Sequence, residues 1–253
     1  MQRYFIPPER LVSGKAFIEG DDARHLALVM RARIGDRIVV SDGRGRTVLA
    51  EIAELDKTKV TATVIEQLPA DAEPTVHVWI AQSLPKGDKM ETVIQKCTEI
   101  GATRIIPFLS ERTVVRYDSH AEEKRLQRWR KIAKEAAEQA HRDKVPEIEA
   151  PMTWKQLLQA ASDADAALFC YERENGRTLG EQLKYLFSRK AEKPVRTVLI
   201  VVGPEGGFTE REAKEAEAAG IVPVSMGRRI LRAETAGMVG LACVLYEAGE
   251  MGG

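Results

Sequence analysis

Two stretches in the last quarter of the chain hold the residues best suited to chemistry. They are Gly203-Pro204-Glu205-Gly206-Gly207-Phe208 and Met226-Gly227-Arg228-Arg229-Ile230-Leu231-Arg232-Ala233-Glu234-Thr235-Ala236. Three glycines in a six-residue loop remove Cβ atoms and let backbone N–H and C=O groups reach a ligand. The second stretch adds apolar Ile230 and Leu231 beside an Arg232/Glu234 pair. Backbone groups, apolar contact and a charged pair suit a ligand with an adenine-like face, read by main-chain hydrogen bonds. Taken alone, the first loop is equally well explained as turn chemistry, since strands often end in Gly and Pro.

Each stretch follows a short apolar run of β type, residues 197–202 and 222–225, and each precedes a helical pattern. In an open α/β sheet, ligands bind beyond the carboxyl ends of the strands, where such loops lie. Several familiar sites are excluded. There is no G-x-x-x-x-G-K-[ST] loop, no G-x-S-x-G elbow and no H-E-x-x-H. The first strand of the α/β region runs into Gln82-Ser83-Leu84-Pro85, which is not a dinucleotide-binding turn. Cys97, Cys170 and Cys243 are odd in number and far apart, and His25, His77, His120 and His141 lack ligand spacing, so no disulfide or metal site is expected. These cysteines read as small buried hydrophobes in a reducing, cytoplasmic setting.

The elements that must position the two loops follow from composition and periodicity. The 253 residues are 44% hydrophobic and 30% charged, within the range of globular chains. No apolar run is long enough for a bilayer, and the N-terminus lacks the apolar core of a signal peptide. With 38 basic and 38 acidic side chains, attraction to nucleic acid must come from local patches. Residues 1–70 read as a β-rich domain with strands at 4–6, 16–18, 37–40, 48–55 and 59–65. One helix capped by Asp21 or Asp22 carries His25, Leu26, Leu28 and Val29. So few strands suit a small barrel better than a sandwich. Arg31, Arg33, Arg37, Arg44 and Arg46 fall near its turns, as a solvated surface or as a face for RNA phosphates. With Arg3 and Arg24, residues Arg31, Arg33, Arg44 and Arg46 form the candidate RNA-contacting set.

Residues 67–74, with two prolines and no periodicity, read as a linker, and the second domain starts at residue 75. Strands and helices then alternate, which predicts a mainly parallel sheet. Strands are expected at 76–81, 104–109, 147–150, 166–169, 197–202 and 222–225. Helices are expected at 88–100, 122–142, 154–161, 179–187, 210–219 and 235–247. The long helix is rich in Lys124, Arg125, Arg128, Arg130, Lys131 and Lys134, which by itself reads as a solvated basic face. Tyr171-Glu172-Arg173 follows a strand end and is a candidate to line the same crevice. The last helix is apolar on more than one face, with Gly237 and Gly240 allowing close approach, and must be covered on several sides.

The two loops together resemble those of the SPOUT-class methyltransferases that modify N3 of a uridine in 16S ribosomal RNA. The resemblance rests on residues 203–208, on Gly227 with Arg229-Ile230-Leu231-Arg232, and on Glu234-Thr235-Ala236. It extends through Lys86-Gly87-Asp88-Lys89-Met90-Glu91, Thr98-Glu99-Ile100-Gly101, Ala137-Glu138-Gln139, Arg3-Tyr4-Phe5 and His25-Leu26, and so covers essentially the whole chain. It implies a PUA-like barrel over 1–70 and an α/β domain with a deep trefoil knot over 75–253. It also implies S-adenosylmethionine held in the knot, a homodimer, and a substrate within the small ribosomal subunit or a late assembly particle. The sequence departs from the family pattern at Arg228, where proline is expected, at Ala233, where threonine is common, and at Ala140-His141, where serine-glycine is common.

On this resemblance the cofactor set is Gly203, Glu205, Gly206, Gly207, Met226, Gly227, Ile230, Leu231, Arg232, Thr235 and Ala236. Arg232 is expected to stabilise charge that spreads onto the uracil oxygens as N3 loses its proton. Glu234 is expected to accept that proton or to orient Arg232. Glu234 or Thr235 equally reads as a cap of the last helix. Two other functions remain open at this stage: an RNA-binding assembly module without activity, and an α/β enzyme using another adenine nucleotide.

Overall fold

Strand-forming runs at the N-terminal end pair into one six-stranded sheet, in the order β1-β4-β5-β6-β3-β2. The strands are β1 (Arg3–Phe5), β2 (Leu11–Val12), β3 (Lys15–Glu19), β4 (Arg37–Ser41), β5 (Thr47–Leu55) and β6 (Lys59–Leu68). β1 and β4 are parallel and the other pairs antiparallel. Alternate residues of the strands, such as Val48, Ala50 and Ile52 of β5 with Val60 and Ala62 of β6, bury into a single apolar core, as a two-residue period requires. Helix α1 (Asp21–Arg24) continues as a π turn over His25–Val29 and adds Ala23 and Leu26 to that core. Its cap is Gly20, at φ 69, rather than Asp21 or Asp22. The two acids occupy the first turn, where negative charge favours the helix dipole.

The computed structural model describes residues 1–114, 119–188 and 194–252, with helix side chains 119–121 outside the described set. The chain divides into two units, Met1–Glu73 with Lys134–Val145, and Pro74–Ala133 with Pro146–Gly253.

The second unit is a seven-stranded parallel sheet. Its strands are β7 (His77–Ser83), β8 (Arg104–Leu109), β9 (Glu147–Ile148), β10 (Met152–Thr153), β11 (Ala166–Cys170), β12 (Thr197–Val202) and β13 (Val222–Val224). Its helices are α2 (Lys89–Ile100), the first part of α3 (Ser119–Gln139), α4 (Trp154–Ala160), α5 (Leu179–Leu186), α6 (Glu210–Ala218) and α7 (Ala233–Glu247). The order is β10-β8-β7-β12-β11-β13, with β9 also on β8. β12 thus lies between β7 and β11, although it follows β11 in sequence. Its continuous apolar run is that of a strand covered on both faces. This arrangement brings the carboxyl ends of β11, β12 and β13 side by side. Gly237 and Gly240 let α7 press onto β7 and β12: an added Cβ would stand 3.4 Å from Ile80 and 3.1 Å from Ile200.

The end of α3 and the turn after it, residues 134–145, belong with the first unit. Glu138 accepts the Phe5 N–H at 2.9 Å, and Lys134 pairs with Asp22. Asp143 accepts from Arg3 Nη1 (2.7 Å), Thr47 Oγ1 (2.9 Å) and the Ala72 N–H (3.0 Å). The helix stops at Gln139 instead of 142 because His141 turns to φ 55 and the Arg142 N–H returns to the Ala137 carbonyl at 2.9 Å.

Candidate active site

The loops after β11, β12 and β13 surround a cavity of about 460 Å³ in the second unit. It is lined by residues 170–172, 202–205, 207–208, 225–234 and 236, together with Lys89 of α2. Of the sequence-derived set, Gly203, Glu205, Gly207, Met226, Gly227, Ile230, Leu231, Arg232, Glu234 and Ala236 line it. Gly206 and Thr235 do not. Gly206 faces Arg112, whose Cβ would stand 3.3 Å from an added Cβ and whose Nη1 donates to the Gly206 carbonyl at 2.8 Å. The Thr235 N–H folds back onto the Arg232 carbonyl at 2.9 Å.

The first loop is held from several sides. Gly207 sits at φ 63, and a Cβ there would lie 2.9 Å from Glu172 Oε1. A Cβ on Gly203 would meet the Phe208 ring at 2.9 Å. Phe208 in turn packs 4.2 Å from the Phe169 ring centroid. Gln82 Nε2 donates to the Gly203 carbonyl at 3.3 Å. Thr209 then caps α6 through a reciprocal pair with Glu212, so the loop leads straight into a well-started helix. The second loop is anchored where Ser225 exchanges backbone hydrogen bonds with Arg177 and Leu179. Gly227, at φ 103, takes the left-handed turn that a side chain resists.

A chain of charges runs along the rim. Lys89 Nζ donates to Glu205 Oε1 at 2.8 Å and lies 3.7 Å from Glu234 Oε2. Burial pushes the Glu205 carboxyl up, but hydrogen bonds from Lys89 and the Lys86 N–H outweigh it and hold its pKa below the usual range. The same hydrogen bond raises the Lys89 ammonium. Glu234 is 17% exposed at its side chain, and its Oε2 is buried without a hydrogen-bond partner. Its nearest cation is therefore Lys89, not Arg232. Arg232, exposed, occupies the N-cap position of α7 with no side-chain cap bond. Neither Glu234 nor Thr235 is the cap, so the capping alternative for those residues does not hold. Ile230 is 90% exposed at the cavity mouth. Lys89 was absent from the sequence-derived site. Its signal was its place in the 86–91 segment, but nothing local ties it to a glutamate 116 residues away.

The arginines proposed for RNA are dispersed in the first unit. Arg3 is 12% exposed and committed to Asp143 and to the Arg142 carbonyl (2.6 Å), so it is an internal strut rather than part of an open face. Arg46 reaches the Leu11 carbonyl at 3.1 Å, and Arg24 stands 3.9 Å from Asp21. Arg24, Arg31, Arg33, Arg44 and Arg46 are exposed. Exposed Leu28, Val29, Met30 and Ile34 flank Arg31 and Arg33.

Residues 18–65 match a family model described as an RNA methyltransferase PUA domain, and 72–245 match one described as an RNA methyltransferase domain. The chain is 38% identical over 250 residues to ribosomal RNA small subunit methyltransferase E of Bacillus subtilis, covering 98% of this chain and 97% of that one. It is 36% identical over 241 residues to the protein of the same name in Synechocystis, covering 95% and 76%. The crystal structure of ribosomal RNA small subunit methyltransferase E from Neisseria gonorrhoeae bound to S-adenosyl methionine superposes with a TM-score of 0.83 at 29% identity, covering 97% of each chain. With a PUA-like N-terminal domain, an α/β domain matched over most of its length and relatives of this similarity, the chain belongs to the RNA methyltransferase family that includes ribosomal RNA small subunit methyltransferase E.

Proposed function

We propose that this chain transfers the methyl group of S-adenosylmethionine to N3 of a uridine in 16S ribosomal RNA, in the cytoplasm and as a homodimer, on the small subunit or a late assembly particle. The observation that carries the reading is the cavity at the ends of β11, β12 and β13, with Arg232 and Glu234 on its rim. Its volume of about 460 Å³ suits a nucleoside-sized ligand. The residues present fit the cofactor: backbone of two glycine-bearing loops for polar edges, Leu231 and Met226 for apolar faces, and open space around the bare Cα of Gly227. The cofactor bound to the Neisseria gonorrhoeae relative supports the same choice.

S-adenosylmethionine supplies a methyl carbon already made electrophilic by its sulfonium. The protein's part is alignment, charge stabilisation and proton removal. Arg232 projects from the start of α7 beside the cavity and offers two parallel donors to a uracil carbonyl oxygen. Charge on that oxygen grows as N3 loses its proton, so this contact tightens in the transition state. Glu234 Oε2, buried and without a hydrogen-bond partner, is the acceptor for the N3 proton, directly or through water. Lys89 faces it with a compensating charge.

The homodimer is supported by α7, whose Met238, Val239, Ala242 and Cys243 are only half-buried and whose Tyr246 is 67% exposed. A trefoil knot belongs to the same proposal and is supported by the insertion of β12 between β7 and β11. The test is incubation of small subunits lacking the modification with the protein and labelled cofactor, followed by mass spectrometry of nucleosides. A labelled N3-methyluridine is expected. Label on another atom or base would overturn the assignment, and no label together with no calorimetric cofactor binding would overturn the activity.

A further inference from the structure

A second cavity of about 460 Å³ opens in the same unit, between the first turn of α2 and the N-terminal half of α3. Its floor is apolar and buried, made by Leu84, Met90 and Trp129. Its α3 wall carries Lys124, Arg125 and Arg128. Arg128 is paired with Glu91 at 2.7 Å. Lys124 and Arg125 have no hydrogen-bond or ion-pair partner among the described residues, so their charges are available to a ligand. The two cavities share a wall: Asp88 lines this one, and the next residue, Lys89, lines the cavity proposed for the cofactor.

An apolar floor beneath unpaired cations is complementary to a nucleotide, whose flat base seeks apolar contact while its phosphates seek Lys and Arg. We infer that this second cavity is an RNA subsite that holds the base and phosphates of a nucleotide flanking the methylated uridine. The inference rests on the proposed function for its choice of RNA. It gives the basic stretch of α3 a task beyond solvation. The strand would pass over residues 86–89, with the target base on one side of that turn and its neighbour on the other.

The test uses the full chain carrying Lys124→Ala and Arg125→Ala together. Its control carries Lys155→Ala and Lys214→Ala, exposed lysines that line neither cavity. The probe is a 16S ribosomal RNA transcript, titrated across salt concentrations, with S-adenosylmethionine affinity by calorimetry as the check on folding. Cofactor affinity is expected to stay within about twofold, as for substitutions away from the cofactor cavity. Loss of two contacts to single-stranded phosphates should flatten the dependence of log K on log salt by about 1.4. Transcript affinity at low salt should fall about tenfold, and the KM for unmodified small subunits should rise with kcat little changed. Should the double variant lose cofactor binding, each single variant is carried through the same titration. RNA affinity and salt slope equal to the control would overturn the subsite. So would a changed sedimentation coefficient with unchanged RNA binding, which would make this face a contact between copies. A wild-type chain that binds the transcript through these residues yet leaves unmodified small subunits unmethylated would support the subsite and count against the proposed reaction.

Discussion

Lys89 and Glu205 are joined by a hydrogen bond of 2.8 Å that ties the start of α2 to the glycine loop after β12. Both side chains are partly exposed, so screening limits what the pair contributes. Lys89→Met and Glu205→Gln should each weaken S-adenosylmethionine binding by about two- to fivefold. The double variant should be no weaker than the worse single one, because both remove the same contact. Calorimetry on the four proteins checks this, and simple additivity would show that the two residues act separately.

Arg232 makes no side-chain cap bond at the start of α7 and is exposed. Its removal should therefore leave the melting temperature unchanged. Loss of one donor aimed at a developing oxyanion typically lowers the rate by about 100- to 1,000-fold. Arg232→Ala should show that loss in single-turnover methylation with little change in cofactor affinity. Arg232→Lys should recover little, since an ammonium does not copy the planar fork.

Neighbouring glycines of the first loop should respond differently. Gly207 lines the cavity at φ 63 with Glu172 at 2.9 Å from an added Cβ, whereas Gly206 faces Arg112 and has no positive φ. A side chain forced into such a backbone costs about 1–3 kcal/mol. Gly207→Ala should weaken cofactor binding by about tenfold. Gly206→Ala should stay within about twofold, as surface changes do. Equal losses at both positions would mean that the loop responds as a whole, through its anchorage rather than its lining.

His141 occupies the left-handed position after α3, at φ 55, where glycine is the usual residue. Its side chain is exposed. His141→Gly should stabilise the protein by about 1 kcal/mol through relief of that conformation. Chemical denaturation of the two proteins measures it, and a loss of stability would show that the imidazole makes a compensating contribution.

Asp143 is 1% exposed. Burial pushes its carboxyl pKa up, but the Ala72 N–H, Arg3 and Thr47 outweigh burial and hold it below the usual value. A pKa lower in the folded state stabilises the protein above the unfolded value, and that contribution is lost as pH falls through the folded one. Asp143→Ala should cost about 3 kcal/mol at neutral pH, as for a buried ion pair deprived of one partner. The gap between the two proteins should narrow as pH drops below about 4. A gap independent of pH would assign the loss to packing alone.

Periodicity and turn chemistry made most elements legible. The continuous apolar run of β12 and the capping pattern at Thr209 stand at the expected residues, because both signals lie within a few positions of the chain. β2 and β10 escaped notice, since two residues are too few to show a period. Sequence pattern carries α3 three residues past its end, because helix propensity continues beyond Gln139 while the turn at His141 answers to tertiary contacts.

The candidate site divides in the same way. By itself, the sequence determined which two loops could hold a ligand, since glycine, proline and strand-end position are local properties. Only the tertiary structure decided which side chains of those loops face one cavity. A loop residue's direction depends on its partners: Gly206 turns towards Arg112, while Gly207 stays on the lining. It also brought Lys89 between Glu205 and Glu234, set Lys124 and Arg125 over an apolar floor, and drew residues 134–145 into the first unit around Asp143. Such pairings join groups far apart in sequence, and buried charges and backbone groups choose them by the partners that folding makes available.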